Sequence, residues 1–135
     1  MRRERSSLFE RGFSLVELVI VMTVLLILMA ILVPGYQQVV RYAKEDTLRE
    51  NLRVMRKMID QYTADKERAP QSLEELAEAG YIPEVPVDPM TGSADTWEVI
   101  LEDEAIALNG QRGIKDVKSG ANEPDSSGEQ RYSDW

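Results

Sequence analysis

From residue 13 to residue 33 the chain is almost wholly apolar, and between residues 18 and 33 only Thr23 breaks the run. Twenty-one residues wound as a helix rise about 31 Å, enough to cross a hydrocarbon core about 30 Å thick. Pro34-Gly35 then interrupts the pattern, a pair that loosens or kinks a helix. Beyond it the polarity changes and the period does not. Tyr36, Val39, Val40, Ala43, Thr47, Leu48, Leu52, Met55, Ile59 and Tyr62 recur at spacings of three and four, with Arg41, Lys44, Glu45, Asp46, Arg49, Glu50, Arg53, Arg56, Lys57 and Asp60 between them. That pattern predicts an amphipathic helix to about Asp65, whose stripe must bury against a folded partner.

Pro70 stops this helix, and Ser72 with Glu75 three residues on spells a capping box for a short second helix that Gly80 ends. Prolines 83, 86 and 89 pin the loop that follows. Residues 96–101 (TWEVIL) and 105–110 (AIALNG) read as two strands joined by a turn at 102–104. The tail, residues 113–135, is polar, yet Tyr132 and Trp135 near its end predict that it docks. The fold class expected is α+β: a long N-terminal helix, half apolar and half amphipathic, packed by a small antiparallel sheet. The segments are a basic leader (1–12), the apolar half (13–35), the amphipathic half (36–66) and a small globular domain (67–135).

Charge sets the orientation. The first twelve residues carry Arg2, Arg3, Arg5 and Arg11 against Glu4 and Glu10, whereas the whole chain is −8. Basic residues before a span hold that end in the cytoplasm and send the remainder across. The acidic remainder argues against nucleic acid, whose phosphates would repel it. The run is longer than a secretory h-region, and LMAILVPGY offers no small-x-small cleavage site. With no histidine and no cysteine, Ser-His, Cys-His and ordinary zinc chemistry are excluded, and no Gly-rich phosphate loop is present. No enzyme is expected.

Glu17 is the anomaly, because a carboxylate in hydrocarbon costs roughly 2.5–3.5 kcal/mol even on lenient scales. Cleavage between Gly12 and Phe13 would create an α-amino cation one helical turn from Glu17. In stacked copies offset along the axis, the amine of one can meet the carboxylate of the next. Glu17 then acts as a register pin, satisfied at a single stagger. The alternative from this residue alone is that Glu17 sits at headgroup depth, where the penalty is small.

The stretch G-F-S-L-V-E-L (residues 12–18), after a short basic leader and before about twenty apolar residues, resembles the class III signal of type IV pilins and their pseudopilin relatives. Pro34, 21 residues after the cut, is similar to the family's proline. The resemblance implies cleavage after Gly12 by a membrane prepilin peptidase, N-methylation of Phe13, recruitment into a filament through Glu17, and the type IV pilin-like lollipop. Methylation keeps the amine's charge. Arg68-Ala69-Pro70, residues 72–76 (SLEEL) and Pro86-Val87-Asp88-Pro89 are in turn similar to the core of the major pseudopilin of type II secretion. That implies a homopolymer in the periplasm with minor pseudopilins, an inner-membrane assembly platform and its ATPase as partners. It also implies a calcium loop in the tail. Asp116, Val117, Ser119 and Gly120 follow that pattern, but Asn122 stands where an acid is expected. Asn122, Asp125 and Asp134, with backbone carbonyls, are the oxygen donors on offer for Ca2+. A loop held by its own hydrogen bonds and by packing of Trp135 is the other reading. A subunit of a surface pilus, or a single-pass anchored binding module that never polymerises, are the other functions this sequence allows.

Overall fold

The computed structural model describes residues 12–103 and 111–135. Its elements in chain order are helix α1 (Leu15–Lys66), helix α2 (Leu73–Glu78), strand β1 (Glu98–Leu101), strand β2 (Ile114–Lys118) and a 3-10 turn at Tyr132–Asp134. The arrangement is α+β, with the distal part of one long helix packed by a small antiparallel sheet. The chain forms two compact units, the first ending at Gln38 and the second comprising Val39–Trp135.

In the first unit α1 begins at Leu15 and every side chain from residue 12 to residue 38 is exposed. By length and composition this part of α1 is able to cross a membrane. Its one polar residue past Glu17 within the run, Thr23, donates its hydroxyl to the Val19 carbonyl at 2.7 Å, so it brings no unsatisfied group into apolar surroundings. α1 passes through Pro34 without a break in helical assignment. Proline has no amide hydrogen, so the carbonyl of Ala30 loses its helical donor there.

In the second unit the amphipathic stripe buries Leu48, Leu52, Met55, Ile59 and Tyr62. Tyr36 and Val39, read as part of the same stripe, are exposed at 72% and 66%, because packing on α1 starts higher. The lowest fully buried position is Glu45, a residue assigned to the polar face from sequence. Helix α1 ends with Glu67 in the left-handed region (φ 55°), one residue past Lys66.

α2 is capped as its sequence implies: Ser72 accepts from the Glu75 amide at 3.2 Å, and Gly80 (φ 81°) turns the chain away. The reciprocal bond of the box is displaced by one residue, since Glu75 accepts from the Gln71 amide at 2.6 Å. Its Leu73 and Leu76 meet the α1 stripe in one core with Ile82, Trp97, Ile114, Val117, Ala121 and Tyr132. The proline-rich loop closes on itself through the Asp88–Ser93 bridge, and Trp97 donates its indole N–H to the Pro86 carbonyl at 2.7 Å.

The sheet corrects the sequence reading. β1 is found where expected, but its antiparallel partner is β2, from the stretch taken as polar tail, with Glu98 opposite Lys118 and Leu101 opposite Ile114. The expected second strand at 105–110 lies outside the described residues. The stretch IKDVK concealed its strand because a register irregularity at Ile100/Leu101 breaks the alternation, and Ile114 and Val117 are both buried at an odd spacing. Glycine is required on either side of β2. A Cβ at Gly120 would lie 2.0 Å from the Thr96 carbonyl oxygen, and one at Gly113 would lie 2.5 Å from the Ala69 Cβ.

The tail does dock. Arg56 on α1 donates to Asp116 at 2.7 Å, to the Val117 carbonyl at 3.0 Å and to the Trp135 carbonyl at 2.7 Å. The Trp135 ring packs edge-on against Tyr132 with centroids 5.3 Å apart.

Candidate functional site

Gly12, Phe13 and Ser14 precede the first turn of α1 in non-helical backbone, and Gly12 and Phe13 are exposed. A peptide bond in that setting is accessible to a protease. Ser14 starts the helix: its hydroxyl accepts from the Glu17 amide at 3.2 Å, and its carbonyl accepts from the Leu18 amide at 3.1 Å. Residues 14–17 (SLVE) thus supply a serine cap with an acid at the third helical position, where the helix dipole favours negative charge. Glu17 lies on the exposed surface of the first turn, and among the described residues no side chain meets its carboxylate. The whole surface around it is apolar: Phe13 is 79% exposed, Val16 66% and Leu18 49%. The geometry therefore offers an exposed backbone at Gly12–Phe13, a capped helix start just beyond it, and one turn on a carboxylate with no side-chain partner among the described residues.

A second polar constellation, in the second unit, was missed from sequence. Glu45 accepts from the Ser126 amide and hydroxyl, both at 2.7 Å, and from the Tyr132 hydroxyl at 2.7 Å. Arg41, one turn below, donates to the Tyr132 oxygen at 3.1 Å and to the Pro124 carbonyl. Burial pushes the Glu45 carboxyl up, but the bonds from Ser126 and Tyr132 outweigh it and hold the group below its ordinary value. Burial raises the Tyr132 phenol. The signal that could have found Glu45 is the period itself, since 45, 48, 52, 55, 59 and 62 alternate spacings of three and four. The cluster fastens the tail to α1.

A second buried carboxylate, Asp88, accepts from the Ser119 hydroxyl at 2.5 Å and from the Met90 amide at 2.8 Å, tying the proline-rich loop to the end of β2. This joins the loop at residues 86–89 to the residue that follows β2.

Of the residues offered for calcium, Asp125 and Asp134 accept hydrogen bonds within the tail. Asp125 accepts from the Ser127 hydroxyl at 2.6 Å, the Gly128 amide at 2.9 Å and the Ser127 amide at 3.0 Å, and the Ser127 bond leads the effects that lower its carboxyl. Asp134 accepts from the Arg131 amide at 3.3 Å, and Asn122 is exposed. Among the described residues no three acids, histidines or cysteines gather in a way that could hold a metal. Calcium takes six to eight oxygens, several from carboxylates, and this donor set does not fit it. The tail loop is held by its own hydrogen bonds and by Trp135, the other reading the sequence allowed.

Comparison with known proteins bears on the first site. Residues 9–33 match the family described as the prokaryotic N-terminal methylation motif. The match contains the Gly12–Phe13 bond, Ser14, Glu17 and nearly all of the apolar run, and it supports a type IV pilin-like, prepilin-processed chain. No curated protein and no solved structure matches the chain.

Proposed function

We propose that this chain is a structural subunit of a pseudopilus of type II secretion, released from its leader by a prepilin peptidase after Gly12 and N-methylated on Phe13. In this reading it waits in the inner membrane with its N-terminus cytoplasmic and its folded unit periplasmic. An ATPase-driven platform then lifts it into a helical filament, with minor pseudopilins as companions, and growth of the filament pushes exported proteins outward. The observation that carries the reading is Glu17, a carboxylate with no side-chain partner among the described residues, on an exposed apolar surface one turn from the Gly12–Phe13 bond and inside the stretch that matches the methylation motif.

The chemistry follows from charge and distance. Cleavage leaves a cation at Phe13, four residues from Glu17, so about 6 Å along the helix axis. Within one copy Ser14 holds the first turn in place. Between copies staggered by about that distance, the amine and the carboxylate neutralise each other in a dry bundle of apolar helices. At other staggers the carboxylate stays unpaired at a cost of several kcal/mol. Pro34 and Gly35 mark the turn at which α1 yields as the subunit leaves the bilayer. The likeness of residues 68–70, 72–76 and 86–89 to the major pseudopilin pattern supports the pseudopilus over a surface pilus.

Glu17→Ala tests the pin. Cleavage and methylation should stay near wild-type levels, while the subunit disappears from sheared or pelleted filaments. Wild-type amounts of the variant in those filaments would end this assignment of Glu17.

A further inference from the structure

One side chain stops α1 from starting two residues earlier. A helix gains a hydrogen bond with each residue it adds, so it runs on until a competing group ends it. Here the stop falls at Ser14. Its hydroxyl accepts from the Glu17 amide at 3.2 Å, its carbonyl accepts from the Leu18 amide at 3.1 Å, and α1 begins at Leu15. Gly12 and Phe13 are thereby left in exposed, non-helical backbone.

Gly12 is the next residue able to begin the helix, since glycine ranks with threonine as a cap. With Gly12 at the cap, its own carbonyl would enter the ladder as acceptor of the Val16 amide, four residues on. That carbonyl belongs to the bond between Gly12 and Phe13. Hydrolysis adds water across this bond, leaving a carboxyl on Gly12 and an amine on Phe13, and negative charge develops on the carbonyl oxygen on the way. An oxygen bonded to its own helix is closed to a peptidase's donors, and the wound backbone shields the carbonyl carbon. The surroundings of Gly12 agree with this. A Cβ there would meet nothing within 4 Å, and the residue is not in the left-handed region. The chain's own packing therefore does not demand glycine at 12, and the space beside the bond is open to an approaching enzyme.

We infer that Ser14 is a positioning residue for processing: by capping α1 it holds the Gly12 carbonyl outside the helix, where a peptidase can take it. The inference deepens the processing reading above and rests on it. Ser14 acts through the backbone of the two residues before it, by setting the fraction of chains whose Gly12–Phe13 bond is extended.

The test uses the full chain in detergent micelles with a membrane prepilin peptidase, and follows loss of residues 1–12 by intact mass. Ser14→Ala removes the side-chain acceptor and should lower kcat/KM for cleavage by about fivefold. The loss should appear in KM with kcat unchanged, because the competent fraction falls and the chemistry does not. Ser14→Asn, which caps without a hydroxyl, should be cut at the wild-type rate. Carbon-13 shifts of Gly12 and Phe13 in the uncut chains should move toward helical values in the alanine variant alone. Alanine cut as fast as wild type, or cut slowly with unshifted carbons, would overturn the inference. So would asparagine cut as slowly as alanine, since the enzyme would then be reading the hydroxyl itself. A wild-type chain left uncut would overturn the processing reading too, so the wild-type result tells the two failures apart.

Discussion

Three carboxylates on this chain show how surroundings decide what an acid does. Glu17 has no side-chain partner among the described residues, whereas Glu45 and Glu75 each accept three hydrogen bonds. Arg68 donates to Glu75 at 2.6 Å, the Tyr62 hydroxyl at 2.6 Å and the Gln71 amide at 2.6 Å. The Arg68 bond leads in holding the Glu75 carboxyl down to about 2, against an ordinary 4.5. A group depressed in the folded state stabilises the fold fully above its unfolded value, and that contribution is lost as pH falls through the folded one. Glu75→Gln should therefore cost about 2 kcal/mol at pH 7 and almost nothing near pH 2, read from urea midpoints at the two pH values. Glu45→Ala strands the Tyr132 hydroxyl and the Ser126 amide and should cost about 2–3 kcal/mol. Glu45→Gln, which keeps an acceptor, should cost less. At Gly120 the penalty is steric: alanine would drive its Cβ into the Thr96 carbonyl, and we expect a loss of about 3 kcal/mol, seen as a lower melting temperature. Of these residues, Glu75 and its cap were legible in sequence because a capping box has a fixed spacing. The buried pairings of Glu45 and Asp88 were not, because their partners lie 81 and 31 residues away.

At the scale of elements, α1 was read almost to its last residue, from an apolar run before Pro34 and a spacing of three and four after it. What periodicity could not give was where burial begins. The exposed Tyr36 and Val39 belong to the stripe by spacing and to the surface by packing, because the tail reaches α1 only from Arg41 upward. β2 was hidden for a different reason. Five residues with a register irregularity carry too few alternations to stand out from a polar tail, and their apolar members find meaning only against β1 and the α1 core. The tail hangs on α1 at Glu45 and at Arg56, two independent fastenings. Arg56→Gln should loosen the second alone, lowering hydrogen-exchange protection over residues 131–135 and shifting tryptophan emission to the red. Protection near Ser126 should persist, because Glu45 still holds it.

For the molecule as a whole, the seven residues from Gly12 to Leu18 carried most of the functional reading, and the match to the methylation motif lies on the same stretch. Those residues were legible because processing demands a local code: a small residue before the cut, a capped helix start and an acid one turn on. The pseudopilus proposal depends on a more diffuse pattern over residues 68–70, 72–76 and 86–89. The calcium expectation followed the family pattern; among the described residues Asp125 and Asp134 accept bonds within the tail, and no three acids gather there. Everything proposed for assembly depends on a new amino group at Phe13, and intact mass of the chain recovered from membranes measures that most directly. The account predicts the mass of residues 13–135 plus one methyl group. A chain still carrying residues 1–12, with no added methyl, would contradict it.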